Sequence, residues 1–132
     1  MKYLDASVFI YAALYTGKKA EHAREILRTM VEGDVAITST LTIDEVVWAV
    51  WKESNREKAI KEGVRILELP NLKVLSVEVG DAYSALNLMN KYQKLRSRDA
   101  IHLAVSLRAG VFKIISEDSD FDDVDDIERE KL

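Results

Sequence analysis

Short strand-like runs alternate with stretches of helical period along this chain, and few folds accommodate that pattern. Four brief runs, KYLDA at 2–6, VAITS at 35–39, LKVLSV at 72–77 and FKIIS at 112–116, are rich in apolar, β-branched and aromatic residues. Each is too short for a helix and reads as a strand. Between them, residues 20–32 set Ala23, Ile26, Leu27 and Met30 on one face before Gly33. Residues 41–53 carry Ile43, Val46, Val47, Val50 and Trp51 on the cleanest amphipathic stripe in the chain. That stripe predicts Trp51 in the core and Trp48 nearer the rim. A charged helix is expected over 56–67, and another over 79–92 with Ala82, Ala85, Leu86 and Met89 inward. A last helix over 99–109 is apolar nearly all round, hence buried, and Gly110 stops it. Strands joined through helices pair in parallel and are covered by those helices. The expected fold class is α/β with a mainly parallel sheet, with a further short edge strand near Ile127.

The 132 residues show no repeat and no linker, so one domain over 1–132 is expected. The formal net charge is −4, unevenly spread. Residues 117–132 hold nine acids against two bases, and the remaining 116 hold 14 acids and 17 bases. A mildly basic body with an acidic, solvated end does not exclude a nucleic-acid partner. Absence of cysteine removes disulfides, thiolate zinc ligands and a thiol nucleophile. Asp5 interrupts the apolar N-terminal run, and Ala6–Gly17 is too short to span a bilayer. A soluble cytoplasmic protein with no membrane association is expected.

In an open parallel sheet, sites form where strands hand over to loops at their carboxyl ends. Asp5 lies at the end of the first run, Glu45 early in the helix after the second, Asp99 at the start of the buried helix, and Asp118 just after the fourth run. Each also has a local reading. Thr42-x-x-Glu45 matches a capping box, Asp99 a helix cap, and Asp118 an Asx turn. Asp5 among apolar neighbours is the hardest to explain locally, because an unpaired buried carboxylate is costly. Two like charges about 5 Å apart repel by roughly 3 kcal/mol at an effective dielectric of 20. Four carboxylates at one rim therefore call for a cation. Their hard oxygens suit Mg2+ or Mn2+ rather than zinc. The chain has no glycine-rich phosphate loop and no competing nucleophile dyad.

YLDASVFIYA, TSTLTIDEVVWAVWK, LRSRDAIHLAVSLRAG and IISEDSDFDDV, in this order, resemble the four blocks of the PIN domain family, from Lys2 to about Val124. Within it the chain is most similar to the small VapC-like toxin ribonucleases. The resemblance implies a three-layer α/β/α sandwich around a four- to five-stranded sheet. It assigns Asp5, Glu45, Asp99 and Asp118 as catalytic acids and ligands of Mg2+ or Mn2+. Ser7 and Ser116, with Asp120, would support them as outer neighbours. It implies endoribonuclease activity, in which a metal-activated water hydrolyses the RNA phosphodiester, together with a homodimer and a cognate antitoxin of a type II pair. Asp120 and Glu117 crowd Asp118, and Asp44 shadows Glu45, so these local assignments stay open.

Lys91, Lys94, Arg96 and Arg98 immediately precede Asp99 and are candidate RNA-phosphate contacts. A solvated helix end is the other reading of the same cations. Tyr92 offers a stacking face or simple packing. His102 is expected to be hydrogen-bonded in the core rather than to act on substrate. Two rival functions share these residues. One is a catalytically idle PIN-like binding or assembly module, and the other a receiver-like signalling domain.

Overall fold

The computed structural model of the chain describes residues 1–132. In order it forms β1 (Lys2–Leu4), α1 (Ala6–Leu14), α2 (Lys18–Val31), β2 (Ala36–Ser39), α3 (Thr40–Glu53) and α4 (Arg56–Leu67). There follow β3 (Leu72–Leu75), α5 (Val79–Lys91), α6 (Ser97–Arg108), β4 (Lys113–Ile115), a 3-10 turn (Ser119–Phe121) and β5 (Glu128–Glu130). The five strands form one sheet in the order β3-β2-β1-β4-β5, and every pairing is parallel.

Successive residues of a strand face opposite sides of a sheet, and β1 divides the core accordingly. Leu4 joins Val8, Phe9, Met30, Val46 and Val50 on the side covered by α1–α4. Tyr3 joins Ile37, Leu103, Val105, Ile114 and Phe121 on the other side, under α6. The result is the α/β/α sandwich that the resemblance implies. α4 closes tightly on α3 at Gly63, where a Cβ would stand 2.9 Å from Val47 Cγ2.

Four features differ from the sequence expectations. The first strand ends at Leu4 rather than Ala6, and the unforeseen α1 follows at once. ASVFIYAAL has no polar stripe and so carries no amphipathic period. Trp51 is half-exposed, standing edge-on to Trp48 with ring centroids 6.0 Å apart, because the stripe's other members already fill the contact with the core. On α5 the inward residues are Asp81, Ala85, Leu88 and Met89, whereas Ala82 and Leu86 face out. The acidic end is not a solvated tail: Phe121 and Val124 are buried, and β5 pairs with β4.

Candidate metal centre

The strand order reverses direction at β1, which has β2 on one side and β4 on the other. The crevice beyond the carboxyl ends of such strands is where parallel α/β sheets place their sites. Asp5 follows β1, Ser39 ends β2 and Ser116 follows β4, so all three reach that edge.

Asp5 caps α1 by accepting the Ser7 backbone N–H at 2.9 Å, and it also accepts the Ser7 hydroxyl. Ser7 Oγ in turn accepts the Glu117 backbone N–H at 3.0 Å, tying α1 to the loop after β4. Burial pushes the Asp5 carboxyl above its ordinary range, and His102, Ser116 and Ser7 oppose that rise. Ser7 and Ser116, the expected outer neighbours, are thus the hydroxyls beside the Asp5 carboxyl. Ser116 Oγ also accepts the Asp118 N–H at 2.9 Å.

Asp118 and Asp99 keep their local duties while facing the crevice. Asp118 Oδ1 accepts the Asp120 N–H at 2.9 Å, closing an Asx-type turn. Asp99 is the third residue of α6, and its Oδ2 accepts the Arg96 N–H at 3.3 Å. One oxygen from each of Asp99, Asp118 and Asp120 lies within 4.8 Å of the others. Burial first, then the neighbouring Asp118, pushes the Asp99 carboxyl up to about 6. Asp120 therefore stands beside Asp99 and Asp118 as a potential ligand, closer than the supporting role expected for it.

Glu45 does not form the capping box with Thr42. α3 starts at Thr40 with Ser39 as its cap, leaving Thr42 inside the helix, where its Oγ1 lies 2.7 Å from Thr38 Oγ1. The Glu45 carboxylate instead meets His102 Nε2 at 2.5 Å. Asp44 is exposed, so Glu45 is the acid of that pair which turns to the site. Glu117 is likewise drawn aside, pairing with Lys19 at 2.6 Å.

Glu45, Arg96, Ser97, Arg98, Asp99 and Asp118 line a cleft of about 440 Å³. Two of the four candidate cations, Arg96 and Arg98, thus meet the acids. Lys94 pairs with Asp123 at 2.8 Å, and Lys91 lies over the Tyr92 ring, so neither lines this cleft. Sequence reasoning missed Arg129. It grips Asp122 at 2.6 and 3.1 Å and donates to the Ser116 carbonyl at 3.0 Å, holding the acidic turn against β5. One signal was available: Arg129 is one of only two bases in the acidic end. Tyr3 and Ser39 were also missed as neighbours of His102 (Tyr3 OH to Nδ1, 2.6 Å; to Ser39 Oγ, 2.9 Å).

The donor set fits a hard divalent cation. It consists of carboxylate oxygens alone, one carboxyl pushed up by burial and then by the neighbouring Asp118, with no thiol in the chain. No helix is long and apolar enough to cross a membrane.

Comparison with curated protein sequences returned no match. Solved structures are similar in fold. The VapC20 toxin of Mycobacterium tuberculosis, described as cleaving the sarcin–ricin loop, superposes with a TM-score of 0.79 at 15% identity, covering 92% of this chain and 93% of that one. VapBC2 of Rickettsia felis, bound to a promoter DNA fragment, gives a TM-score of 0.75 at 13% identity over 99% and 98%. A toxin–antitoxin complex from Klebsiella pneumoniae gives 0.69 at 18% identity over 96% and 95%. A family model described as PIN domain matches residues 2–127. With that match spanning nearly all of the sequence, the chain belongs to the PIN domain family.

Proposed function

We propose that this protein is a divalent-cation-dependent endoribonuclease, the toxin of a type II toxin–antitoxin pair, working in the cytoplasm as one domain over 1–132. The observation that carries the reading is the group formed by Asp99, Asp118 and Asp120 beside a cleft lined by Arg96 and Arg98. Asp99, Asp118 and Asp120, with Glu45 and Asp5, would hold Mg2+ or Mn2+. Such an ion supplies Lewis acidity and lowers the pKa of water, which is what hydrolysis of an RNA phosphodiester needs. Ser7 and Ser116 orient the Asp5 and Asp118 segments. Arg96 and Arg98 fix the RNA backbone through its phosphates, which gives affinity and position without sequence choice. Lys94, and Lys91 beyond it, extend that track only when Lys94 leaves Asp123. The likeness to solved toxin–antitoxin complexes supports an antitoxin as partner.

Cleavage of a mixed RNA pool with Mn2+ tests the reading. Asp5→Asn and Asp99→Asn are each expected to slow cleavage by about two orders of magnitude or more, as the loss of a metal's charge stabilisation implies. Arg96→Ala with Arg98→Ala is expected to raise KM while leaving kcat nearly unchanged. Undiminished cleavage by both carboxylate variants overturns the assignment.

A further inference from the structure

A line of buried polar groups runs from the sheet to the cleft. Ser39 Oγ lies 2.9 Å from the Tyr3 hydroxyl, which lies 2.6 Å from His102 Nδ1, and His102 Nε2 lies 2.5 Å from Glu45 Oε1. Ser39, Tyr3 and His102 are buried, whereas the Glu45 side chain is partly exposed and lines the cleft. The four residues come from β1, β2, α3 and α6, so the line crosses the elements that build the site.

Packing alone does not call for these side chains. Phenylalanine and leucine fill such volumes without a polar atom, and every buried hydroxyl or ring nitrogen needs a partner. Here each group has one, and the line ends at a carboxylate facing the cleft. The hydrogen placement follows from chemistry. A carboxylate has no proton to give, so Nε2 carries the hydrogen in the bond to Glu45. The Tyr3 hydroxyl donates to Ser39 Oγ and also meets Nδ1, so both ring nitrogens have a partner. A ring held at both nitrogens is fixed in plane, and it fixes the carboxylate it meets.

We propose that Tyr3 and His102 are positioning residues, a relay that holds the Glu45 carboxylate aimed into the cleft so that it binds the divalent cation in one geometry. The inference rests on the metal-centre reading of the same cleft. Groups that orient ligands in this way typically change metal affinity by about ten- to a hundredfold when removed.

The experiment measures Mn2+ affinity by titration calorimetry on RNA-free protein, with thermal melting alongside. His102→Leu is expected to weaken Mn2+ binding about ten- to a hundredfold. Tyr3→Phe, which removes only the hydroxyl, is expected to weaken it several-fold. His102→Gln, whose amide N–H can reach Glu45 from the position of Nε2, is expected to recover most of the affinity lost in His102→Leu. Variants that melt lower yet bind Mn2+ as tightly as wild type assign the line to folding alone and overturn the proposal. Should His102→Leu fail to fold, Tyr3→Phe and His102→Gln decide: wild-type Mn2+ affinity in the first, or a loss of about ten- to a hundredfold in the second, overturns it. Asp99→Asn separates the two readings. If Asp99→Asn abolishes binding while the relay variants bind normally, the relay falls and the metal centre stands; if wild type binds no Mn2+, both fall.

Discussion

Asp99 carries two duties that pull its carboxyl in opposite directions. Burial and the nearby Asp118 raise it to about 6, while the Arg96 N–H and His102 favour the charged form. A carboxyl raised above its ordinary value near 3.9 binds its proton more tightly in the folded chain than in the unfolded one. Stability without a cation therefore falls as pH rises from about 4 to about 6, and the loss is complete above that window. Asp99→Asn keeps an acceptor for the Arg96 N–H and removes the charge. Melting in a chelating buffer is expected to show Asp99→Asn more stable than wild type at pH 8 and equal to it at pH 4. Added Mn2+ is expected to raise the wild-type midpoint and leave the variant unmoved. Identical melting of the two proteins at both pH values overturns the account. At this scale the sequence was informative where an acid interrupts an apolar run, as Asp5 does. It was silent on Tyr3 with His102, because that contact joins residues 99 positions apart and neither breaks a local pattern.

Among the elements, those with one polar face were readable and those without were not. α2, α3 and α4 fall within two residues of their expected limits, because each shows a clear amphipathic stripe. α1 was invisible because both of its sides are largely apolar. α5 lies where its period predicts, but its inward face differs from the expected one because a charged residue sits on it. Asp81 is buried there, gripped by Arg108 through Nε at 2.8 Å and Nη2 at 3.0 Å, and it accepts the Glu78 N–H at 2.8 Å. Arg108 also reaches the Ser76 carbonyl at 2.9 Å, so the pair staples α6 to the start of α5. The Arg108 guanidinium holds the Asp81 carboxyl below its usual range. A lowered carboxyl contributes stability that is present above its unfolded value and lost as pH falls through the folded one. Arg108→Leu strands a buried carboxylate, with an expected cost of about 2–3 kcal/mol at pH 7 in urea unfolding. The difference is expected to shrink at pH 3. A cost below about 0.5 kcal/mol at pH 7, the range of ordinary surface changes, shows that the staple contributes little.

For the whole molecule, the charge map and the exposed apolar surface point to different partners. The net −4 conceals a cleft where Arg96 and Arg98 adjoin the carboxylates, and it conceals an acidic end that is folded down by Arg129. Away from the cleft, α5 turns Val79, Tyr83 and Leu86 outward at i, i+4 and i+7, with 76%, 71% and 61% exposure. An apolar stripe along the first two turns of one helix is unusual on a lone surface. Such a stripe offers a face for a second copy across a two-fold axis, which is how most homodimers close. This supports the homodimer that the family resemblance implies, with α5 of one copy against α5 of the next. Sedimentation velocity at micromolar concentration is expected to show a dimer. Tyr83→Glu places a charge at the centre of the stripe while leaving the inner face of α5 untouched, so it is expected to give a folded monomer with unchanged circular dichroism. A monomeric wild type, or a Tyr83→Glu variant that stays dimeric, removes α5 as the contact between copies.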